Sequence, residues 1–292
     1  MALNWRARRA ATRWPGSGYA ESTLAQAAWD RTRKAVARWG WAGLVCGSIV
    51  ALVVFAPATW LAHLVADRTQ QKLLLTDARG TVWNGSAVPV LTAGSDSRSA
   101  TMLPGRTHWT LGLRGLALEL RLRQPCCIHS DMVLLLRPGL GTLSVQLLPG
   151  TGQLGAWPAA WLAGLGAPWN TLQLGGTLRL ASSGLTLQAA AGRWSLVGQA
   201  ELTLDNVASP LTTLDRLGSY RVQLSGAQGS PPAFTLSTVD GMLQLSGSGQ
   251  WTGSQVRFRG EARAAPGAEG ELDNLLNFFG RRQGALSVIS IG

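Results

Sequence analysis

The chain has 292 residues, 46% hydrophobic and 14% charged, with a net charge of +11. Eight basic and two acidic residues lie within 1–38, so that this segment carries +6 and leaves +5 for the rest of the chain. With the positive charge concentrated there, and no recognisable nucleic-acid motif in the main part of the chain, the composition argues against a nucleic-acid-binding protein.

The segment 39–66 contains no Lys, Arg, Asp or Glu. A helix needs about 20 apolar residues to cross a bilayer, so this segment predicts a transmembrane anchor. Trp39 and Trp41 stand near its start and Trp60 near its end, as interfacial aromatic residues do. Pro57 is expected to kink the last turns. A buried soluble helix would show a polar face, and a cleaved signal peptide would follow a shorter basic region.

The basic residues next to the apolar segment predict its orientation. Arg31, Arg33, Lys34 and Arg38 precede it directly, and positive residues stay on the cytoplasmic side of a membrane. They are also suited to contact anionic lipid headgroups. We therefore expect a partly disordered cytoplasmic tail (1–38), a transmembrane helix (39–66) and a domain outside the cytoplasm (67–292). In a Gram-negative bacterium this is a periplasmic domain of a single-pass protein of the inner membrane.

Two turns are expected soon after the anchor. Residues 73–91 predict short strands with one turn at Arg79-Gly80 and another at Asn84-Gly85, since Asn-Gly between apolar runs is a strong hairpin signal.

From His108 onward, leucines alternate with polar or small residues, and Gly, Ser or Asn interrupts each run. Period-two alternation with frequent turns predicts antiparallel strands in a meander, each with one apolar face. The predicted fold class is therefore mainly β: one transmembrane helix followed by a large, twisted antiparallel sheet with a few short helices.

Three short helices are expected within or after the sheet. They cover residues 157–165, 210–217 and 269–279. Proline at N1 and glycine after the last turn mark the first two, with Ser209 as the N-cap of the second. Apolar residues at i, i+3, i+4 and i+7 mark the third. The third helix is expected to pack over the sheet, with partner binding as the alternative. Residues 285–291 predict a last strand or an apolar tail.

The three cysteines leave several interpretations open. Cys46 lies in the apolar segment, and Cys126 and Cys127 are adjacent. In an oxidising compartment the adjacent pair can form a vicinal disulfide, pair between molecules or remain as two thiols. With His129 they do not match the spacing of a zinc site.

No catalytic constellation is recognisable. The sequence lacks phosphate-binding glycine loops, nucleophile elbows and metalloprotease motifs, and its acidic residues form no obvious pair. We therefore expect no enzymatic activity, no cofactor and no metal.

The layout of a basic tail, one span and an exported β domain resembles the type II secretion system protein N family of the general secretion pathway. The resemblance covers about 39–292 and rests on short motifs: GTVWNG at 80–85, LGAPWNTL at 165–172, DNVASPL at 205–211, LGSYRV at 217–222, LLN at 275–277 and GRR at 280–282. The residues that carry it are Gly80, Trp83, Gly85, Gly166, Pro168, Pro210, Gly218 and Tyr220. The family's cytoplasmic segment is usually short, whereas the tail here is long.

The resemblance implies an accessory or scaffold subunit of the inner membrane that supports the export of folded proteins across the outer membrane. Its expected partners are other secretion subunits, in the inner-membrane platform or the secretin, together with membrane lipids and a second copy of the chain. The chain is also similar to the AsmA-like envelope proteins, which implies the alternative of handling lipids or hydrophobic ligands in an apolar groove of the sheet.

Overall fold

The computed structural model describes residues 36, 39–95, 97, 99–150, 152–190, 193–252, 255–284 and 286–291. The chain forms two compact units, Met1–Val54 and Phe55–Gly292. The predicted orientation residues lie outside the described residues: Arg31, Arg33, Lys34 and Arg38.

The first unit contains helix α1 over residues 39–54, whose side chains are exposed, Trp39 and Trp41 among them. Helix α2 spans Ala58–Arg68 and belongs to the second unit. In the described part of the chain, no helix combines the length and apolar character needed to span a membrane.

The prediction of one continuous helix over 39–66 is therefore wrong. The helix stops before Pro57, which has extended backbone angles (φ −69°, ψ 147°) and precedes the first residue of α2. Proline has no N–H to donate and disfavours helical backbone in the residue before it. Pro57 therefore separates two helices, and Trp60 lies on the exposed side of the second one.

The described part of the second unit contains one sheet of sixteen strands. They are β1 Leu73–Gly80, β2 Asn84–Thr92, β3 Ala100–Met102, β4 Thr107–Arg114, β5 Ala117–Arg123, β6 Met132–Gly139, β7 Thr142–Leu147, β8 Gln153–Pro158, β9 Gly175–Ala190, β10 Arg193–Ala208, β11 Gly218–Gly226, β12 Ala233–Gly241, β13 Leu243–Thr252, β14 Gln255–Ala264, β15 Arg281–Gln283 and β16 Leu286–Ile291. Their order is β1-β2-β4-β5-β6-β7-β9-β10-β11-β12-β13-β14-β16-β15, with β3 on β2 and β8 on β9. Every pairing between these strands is antiparallel, so the predicted meander is confirmed.

Several local predictions need correction. The turn expected at Asn84-Gly85 lies just before these residues, at 81–83, and Asn84 and Gly85 begin β2. Residues 210–217 form no helix. The helix expected at 157–165 is a 3₁₀-helix that spans Ala159–Leu165, because Trp157 still belongs to β8. A short helix α3, Trp169–Leu172, follows.

Two predictions near the C-terminus are confirmed. Helix α4 spans Glu269–Phe279 and packs on the sheet through Leu272, Leu275 and Leu276, which are buried. Residues Leu286–Ile291 form β16, the last strand.

One face of the sheet is apolar across its width. Directly paired residues of antiparallel strands project to the same face, and one such row crosses six neighbouring strands: Leu113, Leu118, Leu136, Val145, Leu187 and Leu196. A second row on the same face lies two residues away along each strand: Leu111, Leu120, Leu134, Leu147 and Leu185. We call this side the apolar face.

Two cores cover parts of the apolar face. Near β1, β2 and β4, Ala58 and Leu61 of α2 pack with Ala87 and Trp109, and we call this the α2 core. At the other end, α4, α3 and the 3₁₀-helix cover β9 to β14 in the α4 core, which includes Leu172, Leu174, Val207, Leu217, Tyr220, Leu243, Leu272, Leu275 and Leu276.

Candidate functional site

The first motif, residues 80–85, forms the turn between β1 and β2 and closes over Trp109. The Trp109 indole N–H donates to the Val82 carbonyl (3.0 Å), and the Leu111 amide donates to the Trp83 carbonyl (2.7 Å). Gly80 has φ +86°, a left-handed backbone that glycine adopts without strain. Gly85 lies beneath the indole ring, since a β-carbon there would be 2.5 Å from Cζ2 of Trp109.

The same turn also contacts the residues just before α2. The Val82 amide donates to the Ala56 carbonyl (2.9 Å), and Pro57 forms a β-bridge with Thr81. Three segments of the chain thus meet at this turn: the start of α2, the β1–β2 connection and strand β4. The predicted residues Gly80, Trp83, Gly85 and Pro57 are brought together here, although the sequence placed Pro57 in a membrane span.

The remaining motifs converge on the α4 core. Residues from four of the separate motif segments pack there: Leu172, Val207, Leu211, Leu217, Tyr220, Leu275 and Leu276. Hydrogen bonds join these segments as well, because the buried Ser209 hydroxyl donates to the Leu172 carbonyl (2.6 Å) and the Ser287 hydroxyl donates to the Leu276 carbonyl (2.6 Å). The scattered motifs therefore describe one packing unit.

Gly166 and Pro168 position the 3₁₀-helix and α3 against β2. A β-carbon on Gly166 would be 2.5 Å from Cβ of Ala93, and the Ala167–Pro168 peptide bond is cis. Pro210 is exposed and follows Ser209, whose hydroxyl also accepts from the Leu211 amide (3.3 Å). Ser209 thus forms a local turn where the sequence predicted a helix N-cap.

Gly218 and Gly241 lie against each other where β11 meets β12. They are paired in register, and a β-carbon on Gly241 (φ +128°) would be 2.2 Å from Cα of Gly218. Beside them Arg216 forms an ion pair with Asp240 (2.5 Å) and donates to Oδ1 of Asn206 (2.8 Å). A hydrogen bond from Ser219, assisted by Arg216, lowers the pKa of Asp240. We call this cluster of Arg216, Asp240, Asn206 and Ser219 the clip, since its ion pair and hydrogen bonds hold the loop that leads into the α4 core.

Tyr220 projects into the α4 core next to this clip. Its hydroxyl donates to the Leu243 carbonyl (3.0 Å), so that the polar group is satisfied inside an apolar environment. Burial raises the pKa of the Tyr220 phenol above its ordinary value. The arrangement supports a structural role, linking β11 to β13 across β12.

Between the α2 core and the α4 core, the apolar face is left incompletely covered. The two leucine rows on β4, β5, β6, β7 and β9 include side chains that remain partly exposed: Leu111, Leu118, Leu120, Leu134, Leu136, Val145, Leu147, Leu185 and Leu187. We call this region the open strip. An apolar surface of this extent, formed by adjacent strands, has the chemistry of an interaction surface for a hydrophobic partner.

The opposite face of the same strands is polar and ion-paired. Glu119 lies between Arg114 (3.2 Å) and Arg121 (2.5 Å), and Arg123 pairs with Asp131 (2.7 Å). The hydrogen bond from Arg121 lowers the pKa of Glu119, and that from Arg123 lowers the pKa of Asp131. This face therefore carries the charged side chains of the central strands, with Glu119 and Leu135 buried on it, and the open strip is the apolar side.

Cys126 and Cys127 form a vicinal disulfide in the β5–β6 connection, with sulfurs 2.16 Å apart. The Cys127 carbonyl accepts from the Ala156 amide (2.7 Å) of β8, and Cys126 Sγ lies 2.9 Å from the Pro104 carbonyl oxygen. Since a disulfide sulfur carries no hydrogen, the second approach is a contact rather than a hydrogen bond. The pair thus lies in a connection that touches strand β8 and the loop between β3 and β4.

The described residues bring together no group of three or more His, Cys, Asp or Glu side chains that could hold a metal ion. Sequence reasoning missed two features of the site: Trp109 as the centre of the first motif, and Gly241 as the partner of Gly218. Both depend on contacts between distant strands, and only the bulky Trp109 within an otherwise leucine-rich strand offered a signal.

The structure defines a protein built on one extended antiparallel sheet, with helices that cover the ends of a single apolar face. Residues 71–288 match the family described as type II secretion system (T2SS), protein N. The chain therefore belongs to this family, which relates it to type II secretion and to the other components of that system. No curated protein and no solved structure matches the chain.

Proposed function

We propose that the protein is an accessory or scaffold subunit of the type II secretion system in the inner membrane. The observation that carries this proposal is the family match over 71–288, which covers nearly all of the sheet and α4. The sheet, including its exposed edge strand β15, presents surface to the inner-membrane platform or the secretin, since edge strands readily add a partner strand.

The apolar residues of α1 anchor the chain in the inner membrane in this proposal. They carry no charged side chain over 39–54. The net charge of +6 in residues 1–38 favours a cytoplasmic N-terminus and, with it, a periplasmic sheet.

The role we propose is non-enzymatic. The carboxylates with shifted pKa values, Asp77, Glu119, Asp131 and Asp240, owe those shifts to arginine and serine partners at the surface of the sheet. Each shift is thus explained by a structural ion pair or hydrogen bond.

Co-isolation from membranes tests the scaffold role. A tagged full-length chain, solubilised from a strain with the intact pathway, is expected to retain platform or secretin subunits in amounts well above those retained by an unrelated single-pass protein carrying the same tag. Parallel isolation from strains that lack the platform or the secretin identifies which of them is bound. Retention of neither component above the control would contradict the scaffold role.

A second function is favoured by the open strip. We propose as the alternative that its leucines bind the hydrocarbon part of a lipid or another hydrophobic ligand in the envelope. The support is the partial exposure of two in-register leucine rows across five strands, on the face that the α2 and α4 cores leave uncovered.

Lipids that remain bound to the purified full-length chain test this alternative. Leu136→Gln and Leu187→Gln place polar groups in the open strip and are expected to reduce the bound lipid, measured by mass spectrometry. Thr110→Gln, at an exposed position next to the strip on β4, is the matched control. Equal lipid content in all variants that keep the wild-type circular dichroism spectrum would contradict lipid binding by the strip.

A further inference from the structure

Exposed apolar side chains lie together at one end of the central strands. The β4–β5 turn carries Leu116, the β6–β7 turn carries Leu140, Leu113 lies just before the β4–β5 turn, and Trp194 lies near the start of β10. Their exposed fractions are 100% for Leu116, 105% for Leu140, 79% for Leu113 and 54% for Trp194. Turn positions usually hold polar residues or glycine, so leucine at two successive turns requires an explanation. We call these four residues the hairpin rim.

Strand register places the rim residues at similar heights. Leu113 is in the same cross-strand row as Leu136, Val145 and Leu187. Leu116 lies three residues after Leu113, and Leu140 lies four residues after Leu136. Trp194 pairs with Ala189, which is two residues beyond Leu187. The β4–β5 turn, the β6–β7 turn and Trp194 therefore lie at the same end of the strands.

The chain arrives at this same end. Strand β4 runs antiparallel to β2, so the β4–β5 turn lies at the same end of the sheet as the β1–β2 turn. Pro57 bridges to Thr81 at this end. Phe55, exposed and directly after the apolar residues of α1, begins the second unit there. If α1 is anchored in a membrane, this is the end of the strands from which the anchor leads away.

Two arginines lie next to the rim on the polar face. Arg114 follows Leu113, and Arg137 follows Leu136, so that both are one step beyond the in-register row. Both are exposed, Arg137 donates to Gln146 (3.0 Å), and Arg114 shares Glu119 with Arg121. Apolar tips with adjacent cations match the chemistry of a bilayer surface, where acyl chains lie beneath anionic headgroups.

We propose that the hairpin rim contacts the periplasmic surface of the inner membrane, with its apolar side chains in the interfacial region and Arg114 and Arg137 at the lipid phosphates. This inference rests on the anchoring proposed above. It gives the sheet a second attachment to the membrane, several strands away from the α1 connection, and so a defined orientation for its two faces.

Photo-crosslinking to lipid tests the rim directly. The full-length chain is reconstituted in vesicles of phosphatidylethanolamine and phosphatidylglycerol that contain an alkyne-tagged lipid, with benzoylphenylalanine replacing Leu116 or Leu140. Matched control positions are Met102 and Met242, which are exposed apolar residues at the opposite end of the strands. Lipid adducts at the rim positions are expected to exceed those at the control positions several-fold.

Rim yields equal to the control yields would overturn the proposal, as would adducts at the rim that join two protein chains in place of lipid. A wash of the vesicles with alkaline carbonate, which removes proteins that are not anchored in the bilayer, tests the anchor separately from the rim contact. A chain that resists the wash without rim adducts contradicts only the rim contact, whereas a chain released by the wash contradicts the anchor.

Discussion

Gly85 lies directly beneath the indole ring of Trp109, so close that a β-carbon at residue 85 would be 2.5 Å from Cζ2 and 2.8 Å from Cε2. Trp109 is only 3% exposed, and its N–H is hydrogen-bonded to Val82. The first family motif is therefore shaped around a residue that lies 24 positions further along the chain. Its glycine is needed for this contact, although Asn-Gly in sequence predicts a turn.

Gly85→Ala is expected to destabilise the protein by about 1–3 kcal/mol, the usual cost of forcing extra volume into a packed core. Urea unfolding followed by circular dichroism measures the change. Gly112→Ala on β4 is the matched control, because a β-carbon there meets nothing within 4 Å. Equal stability of the two variants would show that Trp109 moves aside without cost.

Leu275→Ala tests the packing of α4 on the sheet. Leu275 is fully buried, so the substitution leaves a cavity and is expected to cost about 2–5 kcal/mol in the free energy of unfolding. Asn277→Ala, exposed two residues later on the same helix, is expected to change stability by less than about 0.5 kcal/mol. A tolerated Leu275→Ala would indicate that α4 is detached from the sheet in solution.

The clip at Asp240 predicts a pH dependence of stability. Because Ser219 and Arg216 lower the pKa of Asp240 in the folded protein, its stabilising contribution is present above about pH 4 and is lost as the pH falls through the folded pKa. The melting temperature of Asp240→Asn is therefore expected to lie below that of the wild type at pH 6, and the difference is expected to shrink toward pH 3. A difference that is constant over this range would contradict the assigned interaction.

Thiol counting tests the disulfide between Cys126 and Cys127. Of the three cysteines, Cys46 is the free one in the structure. Alkylation of the denatured chain is expected to add one label before reduction and three after it, measured by mass spectrometry. Three labels before reduction would show that the vicinal pair is not oxidised in the isolated protein.

The strands could be predicted because their signal is local. Alternation at Leu118, Leu120 and Leu122 reflects one half-buried face, and neighbouring strands follow each other along the chain. A meander needs no long crossover connections, so period two and turn residues were sufficient to predict its class. The apolar spacing of α4 was equally local.

The errors arose where distant residues decide the local conformation. Ser209 resembles a helix N-cap, but its hydroxyl binds the Leu172 carbonyl, 37 residues away in sequence. The apolar residues after Pro57 resemble a membrane span, but Ala58 is instead buried, and Leu61 partly buried, against the sheet beside Trp109. Apolar composition alone does not distinguish lipid from a protein surface as the partner of a helix.

Secretion by a deletion strain tests the central claim most directly. In a strain with an otherwise intact type II pathway, removal of this chain is expected to leave secreted enzymes in the periplasm, and the wild-type gene supplied in trans is expected to restore them to the medium. The measured quantity is the extracellular fraction of each substrate, with a cytoplasmic enzyme as the control for lysis. Unchanged extracellular fractions for every substrate would contradict a role in type II secretion.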